Sequence, residues 1–347
     1  MNFASDNAWA AHPAVLAALA DANDGAMMGY GGDPVTARAE EAIRAALEAP
    51  EAVVRFVSTG TAANALVCAQ LSPPHGRIYC HEDAHIETSE CGAPEFFSHG
   101  AKLVTLPGTD GKLSAETLRA ALHVGAGAGL NGGKSAMVSI TNATEWGTVY
   151  APAEVSALAR AAHEARLPLH MDGARFANAV ASAGCSAAGM TWRAGVDALC
   201  FGGTKNGAMA AEAVVFFDPA QAEGFDYRRK QAGHVFSKQR FLAAQMLALV
   251  TDGLWLRLAA EANAKAQALA EAVVQGGGRL LAPVQSNAVF AAVPAELHAR
   301  ARAAGAIYHI WPDKSAEGLD PAPIRLVCAW DTPAVDVERL ARILAGR

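Results

Sequence analysis

From about residue 50 to residue 220 the chain is built of short, continuous apolar runs separated by stretches of helical spacing, and this alternation narrows the possible folds more than any other feature. The runs are Ala52–Val57, Arg77–Cys80, Lys102–Leu106, Ala136–Thr141, Leu167–Met171, Ala198–Phe201 and Ala213–Phe217. Hydrophobicity that continues rather than alternates implies strands covered on both faces. Such strands belong to a mainly parallel sheet with helical crossovers, an α/β fold. After Lys238 a long helical stretch runs to about Val274 and stops at Gly276-Gly277-Gly278. Beyond it strand and helix alternate again, over Asn287–Val293, Ala295–Ala304, Ala306–Trp311, Ile324–Ala329 and Val335–Ala345. The expected organisation is an N-terminal segment, 1–35, with a helix over Pro13–Ala20; a large domain, 36–240; and a linking helix with a small α/β C-terminal domain, 241–347. No internal repeat is evident.

Charge and cysteine usage limit the partners. A net charge of −6 argues against nucleic acid or anionic membranes as main partners. No apolar run is expected to span a bilayer. The first residues, Met1-Asn2-Phe3-Ala4-Ser5-Asp6, lack the basic region and apolar core of a secretory signal. The six cysteines are scattered and mostly sit in apolar runs. Buried thiols in a reducing cytoplasm explain that pattern better than a disulfide framework or a zinc knuckle.

Lys205 stands in the turn Gly202-Gly203-Thr204-Lys205-Asn206-Gly207, between two apolar runs. An ammonium at the end of a buried strand must be paired or deprotonated, and a deprotonated amine attacks aldehydes. The ordinary alternative is a solvated loop lysine. Ser58-Thr59-Gly60-Thr61-Ala62-Ala63-Asn64 follows a strand and opens a helix, so its backbone N–H groups suit a phosphate; a plain N-cap is the alternative. His170-Met171-Asp172-Gly173-Ala174-Arg175 closes another strand, where ligands of open α/β sheets sit. There a salt bridge or helix cap is the alternative. His81-Glu82-Asp83-Ala84-His85 matches a zinc-protease spacing, but it follows a strand directly rather than lying on a helix, so no metal site is expected. The glycine-rich stretch Gly125–Gly133 lacks the strand-to-helix setting of a phosphate cradle.

A strand-end lysine, a strand-end aspartate and a phosphate-binding helix start together suit pyridoxal 5′-phosphate. Its aldehyde takes the lysine, its pyridine nitrogen takes the carboxylate, and its phosphate takes backbone donors. Asp172 would keep the ring protonated as an electron sink.

These residues resemble the threonine aldolase group of fold-type I pyridoxal-phosphate enzymes, in particular the low-specificity L-threonine aldolases and phenylserine aldolases. The resemblance runs nearly end to end and rests on 58–64, on His85 through Glu90-Cys91-Gly92-Ala93-Pro94, on 170–175 and on 202–207. It implies a large domain with a seven-stranded mainly parallel sheet, a homodimer or homotetramer with active sites at the dimer interface, and an amino-acid substrate. It implies retro-aldol cleavage of L-β-hydroxy-α-amino acids to glycine and an aldehyde; β-elimination or aminotransfer on the same fold is the alternative. By resemblance Lys205 is the Schiff-base lysine, Gly60, Thr61 and Thr204 bind phosphate, His85 stacks on the ring, and Asp172 pairs with its nitrogen. Arg175, Arg325 and Ser5 hold the substrate carboxylate. Tyr30 lies near the interface, and Lys238 is the residue expected to reach the neighbouring phosphate. Many relatives carry a Thr-His-Asn stretch whose histidine contacts the substrate hydroxyl. Here Asn142-Ala143-Thr144-Glu145-Trp146 puts Thr144 in that place. The hydroxyl-side base is therefore open among His85, Thr144, Glu145 and a water.

Overall fold

The computed structural model describes residues 1–312 and 314–347. The seven apolar runs form β1 (Val53–Val57), β2 (Gly76–His81), β3 (Lys102–Leu106), β4 (Lys134–Thr141), β5 (Leu169–Gly173), β6 (Ala198–Gly202) and β7 (Glu212–Phe216). They make one sheet in the order β1-β7-β6-β5-β4-β2-β3. All its pairings are parallel except the two made by β7. Two successive antiparallel pairings restore direction, so β1 runs the same way as β6. The C-terminal ends of β1, β2, β4, β5 and β6 therefore share one edge of the sheet. Glu212, the first residue of β7, lies on that edge between its register partners Val57 and Gly202.

The sheet is covered on both faces, as the continuous runs require. On one face the helix Gly60–Leu71, rich in small residues, packs Ala62, Ala63 and Leu66 against Ala198, Cys200, Val214 and Phe216. On the other, Phe176, Phe201 and Trp255 meet with ring centroids 5.0–5.8 Å apart. Each such ring pair contributes roughly 0.5–1.5 kcal/mol beyond its area.

A second sheet, order β10-β11-β9-β8, holds β8 (Arg279–Leu280), β9 (Ala288–Val293), β10 (His309–Ile310) and β11 (Ala322–Val327). Its core includes Phe3, because the first residues run along it: Phe3 N–H donates to the Ile307 carbonyl, and Val327 N–H donates to the Phe3 carbonyl, each at 2.8 Å.

The long helical stretch is two helices, Arg240–Val250 and Leu254–Gln275. The turn Thr251-Asp252-Gly253 parts them, with φ of 51° at Asp252 and 66° at Gly253. Contrary to the expectation from apolar runs, Arg240–Gln275 taken as one span is long and apolar enough to cross a bilayer. Its break and its burial explain the composition instead: Leu242, Met246 and Leu249 sit in the large core, and Leu269 and Val273 in the small one.

Candidate functional site

The site assembles along the shared strand-end edge. In the lysine turn, an added Cβ on Gly203 would lie 2.6 Å from the Ala211 carbonyl oxygen, and Gly207 has φ of 103°. Only glycine satisfies both positions without strain. Asn206 Nδ2 donates to the Trp255 carbonyl at 2.8 Å and ties the turn to the helix beneath it. Lys205, partly exposed, lies within electrostatic reach of fully buried Glu212, whose Oε2 accepts the Gly203 N–H at 3.0 Å. Burial raises the Glu212 carboxyl to about 7, against the lowering effect of Thr204, the Gly203 N–H and Lys205.

Asp172 ends β5 in register with Cys200, on the face covered by the helix Gly60–Leu71. Its Oδ1 accepts the Ala174 N–H at 2.9 Å and its Oδ2 accepts Asn64 Nδ2 at 2.8 Å. Two residues back on the same strand face, His170 is fully buried, with Nδ1 at Ser139 Oγ (3.0 Å) and Nε2 at Cys200 Sγ (3.2 Å). Burial lowers its pKa to about 4, so it is a neutral support under Asp172.

At the start of that helix Thr59 Oγ1 caps the Ala62 N–H at 3.1 Å. The N–H groups of Gly60 and Thr61 remain among the free donors of a helix N-terminus. An added Cβ on Gly60 would meet nothing within 4 Å, so the turn is open on that side. His85 follows β2 and opens the short helix His85–Thr88, with its side chain partly exposed. Its Nδ1 lies 2.8 Å from Glu90 Oε1. The hydrogen bond to Glu90 raises the His85 pKa, against burial, with help from Glu145 and Asp172 and against Lys205. His85 thus lies within electrostatic reach of Glu145, Asp172 and Lys205 at once.

Arginines close the other side. Arg175 is buried and pairs with Asp6 through Nε (2.8 Å) and Nη2 (3.0 Å), leaving Nη1 over. Burial works to raise the Asp6 carboxyl, but Arg175, Lys205 and Asn287 bring it down to about 2. Among the described residues no carboxylate makes an ion pair with Arg325, whose neighbours in electrostatic reach are Arg175, Asp6 and Glu145. Ser5 Oγ accepts the Asn7 N–H at 3.1 Å and keeps its own hydrogen to donate.

Two of the expected hydroxyls are already bonded within the chain. Thr144 is buried, and its Oγ1 accepts the N–H groups of Trp146 and Thr148 at 3.2 Å each and bonds Thr148 Oγ1 at 2.7 Å. Its hydroxyl is closed within its own loop. Thr204 Oγ1 accepts the Ala211 N–H at 3.2 Å and bonds Glu212 beneath the lysine turn. Tyr30 and Lys238 are exposed. The Tyr30 N–H donates to the Ser237 carbonyl at 3.0 Å, and Lys230 lies 4.7 Å from the Tyr30 ring centroid. Asp6, Asn64, Glu90 and Glu212 complete the site and had no role in the sequence reading. No group of three or more His, Cys, Asp or Glu among the described residues is arranged to hold a metal ion. His81 Nδ1 instead accepts the Asp83 N–H at 3.0 Å.

This donor set fits pyridoxal phosphate: free N–H groups at a helix start, a buried carboxyl group held by donors, and a strand-end amine. The comparisons agree with it. The model of the beta-eliminating lyase family matches residues 2–296. The chain belongs to the beta-eliminating lyase family. Within it, a low specificity L-threonine aldolase of Pseudomonas aeruginosa is 44% identical over 342 residues, covering 98% of this chain and 96% of that protein. A second, from a Pseudomonas species, is 43% identical over 341 residues, covering 98% and 95%. The solved structure of Leishmania major threonine aldolase superposes with a TM-score of 0.91 at 30% identity, covering 99% of this chain and 98% of that one. The fold of this lyase is that of the fold-type I pyridoxal-phosphate enzymes.

Proposed function

We propose that this lyase cleaves L-β-hydroxy-α-amino acids (threonine, allo-threonine, phenylserine) to glycine and an aldehyde, with pyridoxal phosphate held by Lys205. The observation that carries the reading is His85 standing in electrostatic reach of both Asp172 and Lys205 on one sheet edge. When bound, the cofactor supplies an electron sink for the pair released at Cα. Every other part of the chemistry falls to the chain. The Gly60 and Thr61 N–H groups would hold the phosphate at the positive end of a helix. Asp172, fixed by Asn64 and the Ala174 N–H, is the carboxyl group that would pair with the ring nitrogen.

Arg325, the spare Nη1 of Arg175 and the Ser5 hydroxyl take the substrate carboxylate, for which a guanidinium fork is well shaped. Asp6 fixes Arg175 in place. His85 removes the β-hydroxyl proton, and Glu145 faces the imidazolium so formed. Thr144 takes no part, because its hydroxyl is already committed.

The active unit we propose is a homodimer or a homotetramer, with Tyr30 and Lys238 turned toward the neighbouring subunit. Exposed Tyr30 and Tyr227 flank a surface cavity of about 590 Å³ that also presents Arg55 and Lys230, which supports a second copy packing there. Light scattering of the purified protein reads that state. The six free cysteines support a reducing, cytoplasmic setting.

The test is to incubate the enzyme with L-threonine, L-allo-threonine and the L-phenylserine isomers. Glycine and aldehyde in equal amounts support the reading. A keto acid with ammonia, or with an aminated acceptor, would replace it with β-elimination or aminotransfer.

A further inference from the structure

Glu90 closes a hydrogen-bonded chain that the aldolase chemistry has not yet used. Its Oε1 meets His85 Nδ1 at 2.8 Å and accepts Asn64 Nδ2 at 2.8 Å, and the same Asn64 nitrogen donates to Asp172 Oδ2 at 2.8 Å. The Glu90 side chain has no exposed surface. Its Oε2, and Asn64 Oδ1, are buried with no hydrogen-bond partner among the described residues. A buried carboxylate with an unpartnered oxygen costs more than an apolar residue of the same volume. The chain nonetheless turns back sharply to put it there: Cys91 and Gly92, directly after it, have φ of 54° and 72°. A carboxylate behind an imidazole does one thing well, which is to fix the tautomer and steady the imidazolium.

We propose that Glu90 is a positioning residue that holds His85 with its proton on Nδ1 and leaves Nε2 as the basic nitrogen, while Asn64 joins this pair to Asp172 in one network. The inference rests on the reading of His85 as the base of aldol cleavage. In that step the β-hydroxyl proton passes to Nε2 and the O–H pair becomes the π bond of the leaving aldehyde. The Cα–Cβ pair stays with the glycine carbon. Cα then takes a proton from water and His85 returns its own, so protons balance. Besides Glu90, the groups facing His85 are Glu145 from the loop after β4, Asp172 from β5 and Lys205 after β6. Of these four only Glu90 is hydrogen-bonded to the imidazole. Burial raises the Glu90 carboxyl, against the lowering effect of His85 and Asn64; by donating to both Glu90 and Asp172, Asn64 ties the two ends of the site to one amide.

The experiment compares the wild-type holoenzyme with Glu90→Gln and Glu90→Asp, by histidine-labelled NMR titration and by the pH profile of kcat. The expected wild-type result is a Nδ1-protonated His85 that titrates above the ordinary histidine range. Glu90→Gln lowers that titration by about one pH unit, carries the acid limb of kcat down with it, and reduces kcat roughly 10- to 100-fold with KM within about threefold. A purely structural role would move stability and leave the titration alone. An unshifted His85 titration in Glu90→Gln overturns the proposal. If that variant does not fold, Glu90→Asp decides: its retracted carboxylate must lower the titration, and an unmoved one overturns the proposal equally. Failure of the aldolase reading shows separately, as absence of glycine release by the wild type, while the NMR titration reads Glu90 in either case.

Discussion

Replacing Asp6 by Asn removes the charge that answers a buried guanidinium, and the structure sets the size of the result. Asp6 is 4% exposed, its two oxygens take Nε and Nη2 of Arg175, and Asn287 Nδ2 adds a third bond at 2.9 Å. Removing one member of a buried pair strands the other, at a cost of roughly 3–5 kcal/mol. The depression of the Asp6 carboxyl from 3.8 to about 2 is the net of burial against Arg175, Lys205 and Asn287 and gives a second figure. At 1.36 kcal/mol per unit it corresponds to about 2–3 kcal/mol, the smaller figure because it excludes the stranded arginine. For 347 residues at about 2.1 cal/mol/K each, the unfolding entropy is roughly 0.7 kcal/mol/K, so 3–5 kcal/mol lowers Tm by about 4–7 °C.

The sign of the pH dependence follows from a depressed carboxyl. Its stabilisation is fully present above the unfolded value near 3.8 and is lost as pH falls toward 2. The gap between wild type and Asp6→Asn should therefore be constant from pH 7 to about 5 and shrink only in more acidic buffer. Scanning calorimetry across that range is the assay. A variant melting within about 1 °C of wild type at pH 7 would refute the reasoning. So would a gap that widens on acidification.

Three further outcomes follow from the same geometry. Glu212, raised from 4.5 to about 7, binds its proton more tightly in the folded state, so its contribution to stability declines as pH rises from about 4.5 to 7, by roughly 3 kcal/mol in all; Glu212→Gln should gain on wild type over that window in chemical denaturation. Thr144→Val should cost about 1–3 kcal/mol by stranding the Trp146 and Thr148 N–H groups while leaving kcat within about twofold, and a collapse of kcat at unchanged Tm would return Thr144 to the substrate hydroxyl. Arg325→Lys should raise KM with little change in kcat, lowering kcat/KM about 10- to 100-fold, because a point charge replaces a fork at the carboxylate.

The sheet was readable because burial on both faces leaves continuous apolar runs, and each run became a strand within about two residues of its expected ends. The break in the long helix carried a signal that length outweighed: Asp252-Gly253 is a turn pair, and both adopt positive φ. In the site, Lys205, Asp172 and the helix start at Gly60 were legible because each is a strand-end motif with its own local pattern. Asp6 and Asn64 were not, since their partners lie 169 and 108 positions away in the chain. Glu212 falls just before the expected run Ala213–Phe217, and only the β6–β7 register puts its carboxyl under the lysine turn. Thr144 and Thr204 show why a threonine beside a site is hard to read from sequence, since each is equally suited to bonding its own turn.

The central claim is that the Lys205 amine holds the aldehyde of the cofactor. Borohydride reduction of the yellow holoenzyme, followed by digestion and mass spectrometry, tests it most directly. The account predicts a phosphopyridoxyl mass on the peptide containing Lys205, and its loss in Lys205→Ala; that mass on another lysine, or on none, would contradict it.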